Sequence, residues 1–535
     1  MTISDAKPRS AGTTFRKDGP SVEQIVTEEA IDDEAGKQMW SSLDLTNVGI
    51  RNFSPELFAY SFLTQLHISN NHIARLPAAI GRLRLLTHLD ASNNQLTEIP
   101  SEMAMLTSLR ELLLFDNKIS SIPAEFGSLY QLEFLGLEGN PIVDPVKNIL
   151  ITEGTSALIH YLRDSCPVPM PPPEREWTQI PDGKQDGESF TVFNYNILCE
   201  KYATAQLYGY TPSWALAWSY RKELILHEIT SYGADIICLQ EVDKENYDAY
   251  FSPKLKEKGY EGVFWPKSRS RTMNDTEQKA VDGCASFFKS SMFELVNKQL
   301  VEFNQAPSFR RDPNFKYTKE VYNRLMTKDH IAVILMLERK GTGTRLMLAN
   351  AHIEWNPKFR DVKVLQVAML MDEIHNLANG FAKNPARTVP KDKAPKYQSG
   401  NDIPLIVCSD FNSIPNSGVY AFMSRGFIEK DHEDFMQLDY GNYIKDGRKH
   451  DFSLKSAYQR LGELPFTNHT PGFQGVIDYI WYTTTSLEVI GLLKEVDKGY
   501  IEGVVGFPNA HFPSDHICIL AEFRVKSTQQ SQVFH

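Results

Sequence analysis

Four stretches of the chain repeat one pattern: LTQLHISNN at 63–71, LTHLDASNN at 86–94, LRELLLFDN at 109–117 and LEFLGLEGN at 132–140. Each ends in an asparagine, and these asparagines follow one another at intervals of 23 residues. Self-similarity at such a period indicates a solenoid, because each unit must stack on a neighbour to bury its leucines. The pattern therefore predicts a curved domain with one short strand per repeat.

The spacing LxxLxLxxN is typical of leucine-rich repeats, and the buried asparagine amide can satisfy backbone groups at the turn after each strand. A degenerate first copy, Leu43-Asp44-Leu45, lies one period upstream, with Val48 in place of the asparagine. After the last repeat, DPVKNILITEGTSALIHYLRDS predicts a helix that caps the exposed end of the solenoid. We assign residues 39–165 to this repeat domain with its cap.

The regions around the repeats divide the rest of the chain, since 535 residues are too many for one ordinary domain. Residues 1–38 are polar and aperiodic and are expected to form a flexible arm. The proline-rich run CPVPMPPPEREW opens a stiff linker over 166–188. A second domain is expected over 189–526, followed by a short tail at 527–535.

Composition restricts the setting of the protein. A formal net charge of −11 argues against a surface coated with basic patches, although basic residues can still cluster locally. The six cysteines form no CxxC pair and several lie in apolar runs, which indicates free thiols in a reducing compartment. The N-terminus lacks the apolar core of a secretory signal, and no apolar run reaches the ~18 residues of a membrane span. We therefore expect a soluble intracellular protein without a membrane partner.

Strand-like and helix-like segments alternate through the second domain, which predicts an α/β fold. Helices are expected at 214–231 and 360–378. Apolar runs rich in β-branched and aromatic residues predict buried strands. The strand candidates are SFTVFNYNIL, ADIICLQEV, CASFFKS, HIAVILML, RLMLANAHI, IPLIVCSDF, GVIDYIWY and HICILAEFRV.

Polar residues finish or interrupt most of these strands, where an unpaired ionisable or amide group is unfavourable. They are four carboxylates, two amides and two histidines: Glu241, Asp410, Asp478, Asp515, Asn196, Asn412, His352 and His516. One such residue alone is more often a turn residue, a cap or a satisfied side chain. Their recurrence at one strand end after another indicates a functional site.

This residue set restricts the chemistry of the site. Magnesium prefers oxygen ligands, so the oxygen donors Asn196, Glu241, Asp410, Asn412 and Asp515 suit magnesium better than zinc. Phosphodiester hydrolysis needs a positioned water, neutralisation of transition-state charge and help for the leaving oxygen. A metal, a carboxylate and a histidine held by a second carboxylate would supply these functions. The sequence, which has neither a GxSxG elbow nor a P-loop, therefore predicts a magnesium-dependent phosphodiesterase.

The second domain resembles the exonuclease–endonuclease–phosphatase superfamily in six blocks, which occur in the expected order. These blocks are FNYNIL, CLQEV, NAHIEW, CSDFNSIPNS, GVIDYIWY and FPSDH. The resemblance implies a DNase I-like four-layer α/β sandwich behind the leucine-rich repeat solenoid. Because the superfamily includes phosphatases and lipid phosphodiesterases, action on a small phosphorylated substrate stays open as an alternative.

The repeats and three further strings resemble one group within the superfamily, the carbon catabolite repressor deadenylases. The strings are CLQEVD, SDFNSIPNSGVY and FTNHTPGFQGVIDYI. The resemblance implies a 3′–5′ exoribonuclease that shortens poly(A) tails of mRNA and releases 5′-AMP. It also implies a cytoplasmic location, with the nucleus as a second one, and a second deadenylase subunit docked on the repeats. A chain that acts mainly as such a docking subunit is the remaining alternative.

The same resemblance implies a role for each residue. Glu241 and Asn196 hold a first magnesium ion, and Asp515 helps to hold a second. Asp410 faces the metal and orients and deprotonates the attacking water. His352 donates to a phosphate oxygen, and which histidine serves as general acid stays open.

The remaining residues are implied to act on charge and on the substrate. His516, oriented by Asp478, stabilises the transition state. Asn412 contacts the scissile phosphate or the terminal base. Pro357 and Phe473 sandwich that base, and base–aromatic stacking contributes about 1–3 kcal/mol per base. Since every base has a π-face, the preference for adenine must come from hydrogen bonds to its edge, for which Asn412 is the candidate.

Overall fold

The computed structural model describes residues 40–180, 187–305 and 318–526. The predicted arm at 1–38 and tail at 527–535 lie outside these residues, as does part of the predicted linker. Among the helices within these ranges, none is long and apolar enough to cross a membrane.

The repeat domain is a five-stranded parallel sheet with one strand per repeat, which confirms the leucine-rich repeat prediction. Neighbouring strands pair at their leucines, as Leu43 pairs with Leu66 and Leu66 with Leu89. The strands are β1 (Ser42–Asp44), β2 (Gln65–His67), β3 (His88–Asp90), β4 (Glu111–Leu113) and β5 (Phe134–Gly136). Single 3-10 turns return the chain at Pro55–Ala59, Ala78–Arg82, Ser101–Met105 and Ala124–Ser128. The degenerate first copy therefore forms a complete repeat strand.

The repeated asparagines form a buried ladder between successive repeats. Asn94 Oδ1 accepts a hydrogen bond from Ile73 N at 3.0 Å, and Asn94 Nδ2 donates to Ile68 O at 3.0 Å. Asn117 makes the equivalent contacts one repeat further on. Each amide satisfies backbone groups of two repeats, which is the role that the sequence predicts for it.

Two helices, rather than the single predicted one, cap the last repeat. They are α1 (Val146–Thr152) and α2 (Thr155–Ser165), and Gly154 separates them with a φ of +88°, a conformation that favours glycine. Buried residues of α2 join the core of the solenoid. Arg163 of α2 also donates its Nη1 to Gly209 O at 3.0 Å, so the cap contacts the second domain directly.

The second domain contains two large sheets and two small two-stranded sheets. Its strands are β6 (Trp177–Gln179), β7 (Ser189–Asn196), β8 (Ile236–Asp243), β9 (Tyr260–Pro266), β10 (Asp282–Lys289), β11 (Phe293–Glu302), β12 (Ile331–Arg339), β13 (Arg345–His352), β14 (Leu405–Asp410), β15 (Phe427–Ile428), β16 (Arg448–Lys449), β17 (Leu454–Ser456), β18 (Asn468–Thr470), β19 (Phe473–Gly475), β20 (Asp478–Thr483), β21 (Leu487–Leu493) and β22 (Ile519–Val525). One sheet has the order β6–β21–β22–β7–β8–β10–β9, and the other has the order β11–β12–β13–β14–β20–β17. The α-helices are α3 (Ser213–Leu216), α4 (Trp218–Tyr232), α5 (Lys244–Asn246), α6 (Ser252–Glu257), α7 (Asp275–Lys279), α8 (Arg360–Lys383), α9 (Gly418–Arg425) and α10 (Lys498–Glu502).

The packing of these elements gives the four layers. Successive side chains of a strand point to opposite faces of its sheet. In β7, Val192 joins the core between the two sheets, whereas Phe193 and Tyr195 pack with α4 on the outer face. The long helix α8 covers the outer face of the six-stranded sheet with its apolar residues. The order helix, sheet, sheet, helix agrees with the predicted DNase I-like sandwich.

The main differences from the predicted elements lie at sheet edges. Residues 177–179, within the predicted linker, form β6 and pair with β21, and the preceding Arg175 donates to Lys494 O at 2.7 Å. The strands β6, β9, β11 and β17 end the two sheets, and no strand candidate covers them; the interior strand β21, next to β6, is not covered by a candidate either. An edge strand exposes one side to water, so its residues alternate or are polar and lack the apolar run of a central strand.

Candidate active site

The strand ends bring the predicted residues to one end of the sandwich. The strands β7, β13 and β14 finish at Asn196, His352 and Asp410, and β20 starts at Asp478. His352 pairs with Asp410 across parallel strands, and Asp410 pairs with Asp478 across antiparallel ones. The sheet register alone therefore places these three side chains on adjacent strands at the same edge.

Asp410 is the centre of the cluster. Its Oδ2 accepts a hydrogen bond from Asn196 Nδ2 at 2.9 Å and lies 3.6 Å from His352 Nε2 and 3.7 Å from His516 Nε2. Its Oδ1 accepts from Asn412 N at 2.9 Å. Asp410 is buried, so each of these contacts acts in a weakly screened environment.

Glu241 approaches this cluster through a strained backbone. Its φ is +58°, a left-handed conformation that a non-glycine residue adopts at a cost of about 1–3 kcal/mol. Its Oε1 lies 3.3 Å from Asn196 Nδ2 and 4.0 Å from His352 Nε2, and its Oε2 accepts from Cys199 N at 3.0 Å. Such strain persists where the surroundings enforce it, and the hydrogen bond from Cys199 N helps to hold the Glu241 side chain here.

The surroundings shift the pKa values of the two histidines in opposite directions. Burial alone would lower the pKa of His516, but the carboxylates of Asp478, Asp515 and Asp410 raise this pKa well above its usual value. Burial, reinforced by the charge of Lys267, lowers the pKa of His352 well below its usual value. The surroundings therefore favour the protonated form of His516 and the neutral form of His352.

The carboxylates are arranged as a divalent cation would require. Burial first and Asp478 second raise the pKa of Asp410 to about 7, and burial and Asp282 raise the pKa of Glu241. Asp410, Asp478 and His516 each direct a ligand atom into a space in which these atoms lie within 4.8 Å of one another. Asp478 Oδ1 is buried without a hydrogen-bond partner among the described residues. A cation would relieve this repulsion, and the carboxylate oxygens of the cluster, with Asp478 Oδ1 unsatisfied, fit a divalent metal, whereas His516 is paired with Asp478 and is not counted as a ligand.

Asp515 lies at the rim of the cluster. Its Oδ2 accepts from Tyr208 OH at 2.9 Å and from Asn468 Nδ2 at 3.2 Å. It is close enough to raise the pKa of the neighbouring His516. Its predicted role as a ligand of a second metal ion stays a prediction.

The predicted base-binding residues lie on separate elements of the second domain. Pro357 starts a single 3-10 turn, Pro357–Phe359, shortly after β13, and Phe473 starts β19 with its side chain half-buried. Within the described ranges no hydrogen bond or ring contact joins either residue to Asp410, so the sandwich stays a prediction. Asn412 has a φ of +48°, and its Nδ2 donates to Ile353 O at 3.1 Å.

Comparison with known proteins identifies the chain. The profile of the Endonuclease/Exonuclease/phosphatase family matches residues 193–516, and that of the leucine rich repeat matches 92–142. The chain is 56% identical over 534 residues to the "CCR4-Not complex 3'-5'-exoribonuclease subunit Ccr4" of Schizosaccharomyces pombe, which covers 93% of this chain and 77% of the relative. It is 58% identical over 508 residues to the protein of that name in Mycosarcoma maydis, with coverages of 92% and 76%. The chain belongs to the Ccr4 exoribonuclease family.

A solved structure supports the fold of this Ccr4 family member. The crystal structure of ANGEL2, a 2',3'-cyclic phosphatase, in complex with adenosine-2',3'-vanadate superposes with a TM-score of 0.51 at 27% identity. The match covers 66% of this chain and 99% of the other. The relatives at 56% and 58% identity are both named 3'-5'-exoribonuclease subunits, which confirms the predicted enzyme class.

The prediction of this Ccr4-type site missed a buried amide network beneath the strand ends. Gln240 Nε2 donates to Asn194 Oδ1 at 2.7 Å and to Asn350 Oδ1 at 2.8 Å. Asn350 Nδ2 in turn donates to Ala285 O at 2.9 Å. All three amides are fully buried and connect the two sheets. Each of these amides could have been found as a polar residue within an apolar strand. It lies one or two positions before a predicted site residue.

A buried ionic cluster was also missed. Lys201 Nζ and Lys267 Nζ lie 2.9 and 2.8 Å from the two carboxylate oxygens of Asp282, and Arg269 contacts the same carboxylate. Burial alone would raise the pKa of Asp282, but Lys267, Lys201 and Arg269 hold it well below its usual value. The cluster adjoins the Ccr4-type site, because Lys267 influences the pKa of His352.

Proposed function

We propose that the protein is a magnesium-dependent 3′–5′ exoribonuclease that shortens the poly(A) tails of mRNA and releases 5′-AMP. The observation that carries the proposal is the convergence of Asn196, His352 and His516 on one oxygen of Asp410. The printed names of the curated relatives, 3′–5′-exoribonuclease subunits of the CCR4–Not complex, support the direction of cleavage and the nucleic-acid substrate.

The protonation states suit the proposed roles. A general base works best when its pKa lies near the operating pH, and the pKa of Asp410 is raised to about 7. In this proposal Asp410 orients the attacking water and accepts its proton. The His516 imidazolium, held by Asp478, stabilises negative charge on the transferring phosphoryl group. The neutral His352 imidazole donates an N–H to a phosphate oxygen.

Magnesium is the proposed cofactor because the convergent donors are mainly oxygens. Glu241, Asp410 and Asn196 are the residues proposed to hold it, with Asp515 assigned to a second ion. Asn196 directs Nδ2 to both carboxylates while its Oδ1 accepts from Leu198 N, so the carboxylates supply the first ligands. Bound metal would neutralise charge on the phosphate and activate water.

The substrate end of the proposal rests on the hairpin of β18 and β19. Phe473 opens β19, and Asn468 of β18 donates to Asp515 at the rim of the site. The pairing of β18 with β19 thus connects Phe473 to the rim of the site. Phe473 is proposed to stack on the terminal adenine, opposite Pro357. Asn412 is proposed to read the edge of that base.

The test is cleavage of 5′-labelled oligo(A) and oligo(U), each with magnesium or with EDTA. We expect stepwise shortening of oligo(A) from the 3′ end, 5′-AMP as product and no reaction in EDTA. Asp410→Asn should abolish the reaction, whereas Asp431→Asn, the same change at an exposed aspartate, should not. Equal rates on oligo(U) would remove the poly(A) preference, and activity in EDTA would remove the metal.

A second candidate activity follows from the likeness to the 2′,3′-cyclic phosphatase. The same cluster could open a cyclic phosphate at an RNA end without shortening the chain. Oligo(A) ending in a 2′,3′-cyclic phosphate distinguishes the two activities, because the phosphatase would yield full-length product. Phosphate release from an inositol phosphate would favour the small-substrate alternative.

We further propose that the strand-lined face of the repeats binds a second deadenylase subunit, and that the protein works in the cytoplasm and also in the nucleus. Phe134 on β5 is 47% exposed, and its ring lies 6.3 Å from that of Phe115. Changing both phenylalanines to alanine should abolish co-purification with the purified partner subunit. Glu125→Ala, an exposed position on a return turn, is the control. Unchanged co-purification of the double variant would exclude this face.

A further inference from the structure

A buried arginine lies behind Asn196 and Glu241, two of the residues proposed to hold the metal. Arg221, on α4, is fully buried. Its Nη1 donates to Leu198 O at 2.9 Å, to Pro513 O at 2.9 Å and to Ile197 O at 3.3 Å. Its Nε donates to Leu216 O at 3.1 Å. Every hydrogen bond described for this guanidinium ends on a backbone carbonyl, and no ion pair to it is described among the residues of the structure.

Two of these carbonyls belong to peptide groups whose N–H groups orient the site. In the peptide between 197 and 198, the carbonyl accepts from Arg221 while Leu198 N donates to Asn196 Oδ1 at 3.1 Å. In the next peptide, the carbonyl of Leu198 accepts from Arg221 while Cys199 N donates to Glu241 Oε2 at 3.0 Å. The guanidinium therefore donates hydrogen bonds to the carbonyl oxygens of two peptide groups. The N–H groups of the same peptides donate to Asn196 and Glu241.

The backbone at this turn needs such support. Leu198 has a φ of +54°, which is unfavourable for a side chain with a Cβ. The third carbonyl, that of Pro513, precedes Ser514, whose Oγ donates to Asn196 O at 2.7 Å. Arg221 thus joins the loop after β7 to the loop that carries Asp515 and His516, and hydrogen bonds to a charged donor are stronger than neutral ones.

We infer that Arg221 is a positioning residue for divalent-metal binding, which it supports by fixing the two peptide groups that orient Asn196 and Glu241. The inference rests on the proposed metal dependence but not on the identity of the RNA. Outer groups that orient metal ligands typically contribute 10–100-fold to metal affinity or activity.

The test compares Arg221→Met with Arg345→Met. Arg345 is a similarly buried arginine whose guanidinium also donates to backbone carbonyls, those of Phe381, Ala382 and Asn384. It starts β13, which ends at His352, so it lies about 23 Å from the site at about 3.3 Å per residue. Both changes remove a buried cation. Only Arg221→Met removes one that contacts the peptide groups next to Asn196 and Glu241.

Three quantities are measured on each purified full chain: Mn²⁺ affinity by titration calorimetry without RNA, the melting temperature, and kcat and KM on oligo(A). We expect Arg221→Met to weaken Mn²⁺ binding by about 10–100-fold and to lower kcat at fixed magnesium with KM unchanged. Arg345→Met should lower the melting temperature alone. Equal Mn²⁺ affinities of Arg221→Met and the wild type, or equal losses in both variants, would overturn the inference.

Arg221→Lys keeps the test decisive if the methionine variant does not fold. Its ammonium keeps the charge but cannot match the fork of the guanidinium, so an intermediate Mn²⁺ affinity is expected. Wild-type affinity in this variant would overturn the inference. Mn²⁺ binding is measured without nucleic acid. If the wild-type protein does not cleave oligo(A), the proposed substrate is rejected, but the effect of Arg221 on Mn²⁺ affinity is still tested.

Discussion

His516 Nδ1 lies 2.8 Å from Asp478 Oδ2, and both side chains are almost completely buried. Asp478 is itself fixed, because its backbone N donates to Thr467 Oγ1 at 3.0 Å. The other ring nitrogen of His516 faces Asp410. The pair therefore aims a charged imidazolium at the carboxylate proposed to activate water.

Asp478→Asn should lower kcat on oligo(A) by about 10²–10⁴-fold, the range for loss of a positioned acid–base group. An asparagine keeps the shape of the side chain but removes the charge that raises the pKa of His516. The KM should change little, since Asp478 does not face the substrate in our proposal. Steady-state kinetics test this prediction, with Asp446→Asn at an exposed position as the control. An unchanged kcat of Asp478→Asn would contradict the proposed role of the Asp478–His516 pair.

Glu241→Gln should remove activity without lowering the melting temperature of the metal-free protein. The pKa of Glu241 is raised in the folded state by burial and by Asp282. At neutral pH the ionised side chain therefore disfavours folding, and an amide removes that penalty. Thermal melts in EDTA and kinetics in magnesium, with exposed Glu245→Gln as control, separate the two effects. A large drop in melting temperature would show that Glu241 is structural.

Metal affinity should rise with pH. Ligands must lose their protons before they bind metal, and the pKa of Asp410 is raised to about 7 while that of Glu241 is raised as well. Between about pH 6 and about pH 8 the affinity for Mn²⁺ should increase, with protons released on binding. Calorimetry in buffers of different ionisation enthalpy measures that release. Asp410→Asn should flatten the pH dependence, and pH-independent binding by the wild type would exclude these carboxylates as ligands.

The repeats and the strand ends were predictable because each leaves a local signal. A period of 23 residues needs no tertiary knowledge, and Asp410 or His352 can be found as a polar residue that ends an apolar run. Edge strands such as β9 and β11 leave no such run. Their position follows from pairing with distant segments of the chain.

The contacts among site residues were less predictable than their identities. The role of Arg221 depends on backbone carbonyls, which no side-chain pattern encodes. Asp282 meets Lys201, Lys267 and Arg269 only after the sheets have formed. The raised pKa of His516 and the lowered pKa of His352 likewise follow from burial and neighbours that the fold assembles.

Asn94→Ala should destabilise the repeat domain and leave the site intact. The change leaves the buried Ile73 N without its partner, which costs about 1–3 kcal/mol, whereas Ile68 O still accepts from Asn71 Nδ2. Denaturant unfolding should show a lower midpoint for the repeat domain, whereas Gln95→Ala, at the exposed neighbour, should not. An equal midpoint for both variants would mean that the ladder contributes little to stability.

Phe473→Ala should raise KM for oligo(A) and leave kcat largely unchanged. Loss of one base–aromatic stack costs about 1–3 kcal/mol, or roughly 5–150-fold in KM. Phe473→Tyr keeps the aromatic face and should behave like the wild type. Gln474→Ala, at the exposed next residue of β19, is the control for damage to the hairpin.

The pattern of the kinetic change decides between stacking and support. Because stacking tolerates any base, KM for whatever cleavage of oligo(U) occurs should rise by a similar factor. The hairpin also holds Asn468 against Asp515, so a purely structural role of Phe473 would instead lower kcat through the rim of the site. A fall in kcat at unchanged KM would therefore contradict stacking and assign Phe473 to the support of Asp515.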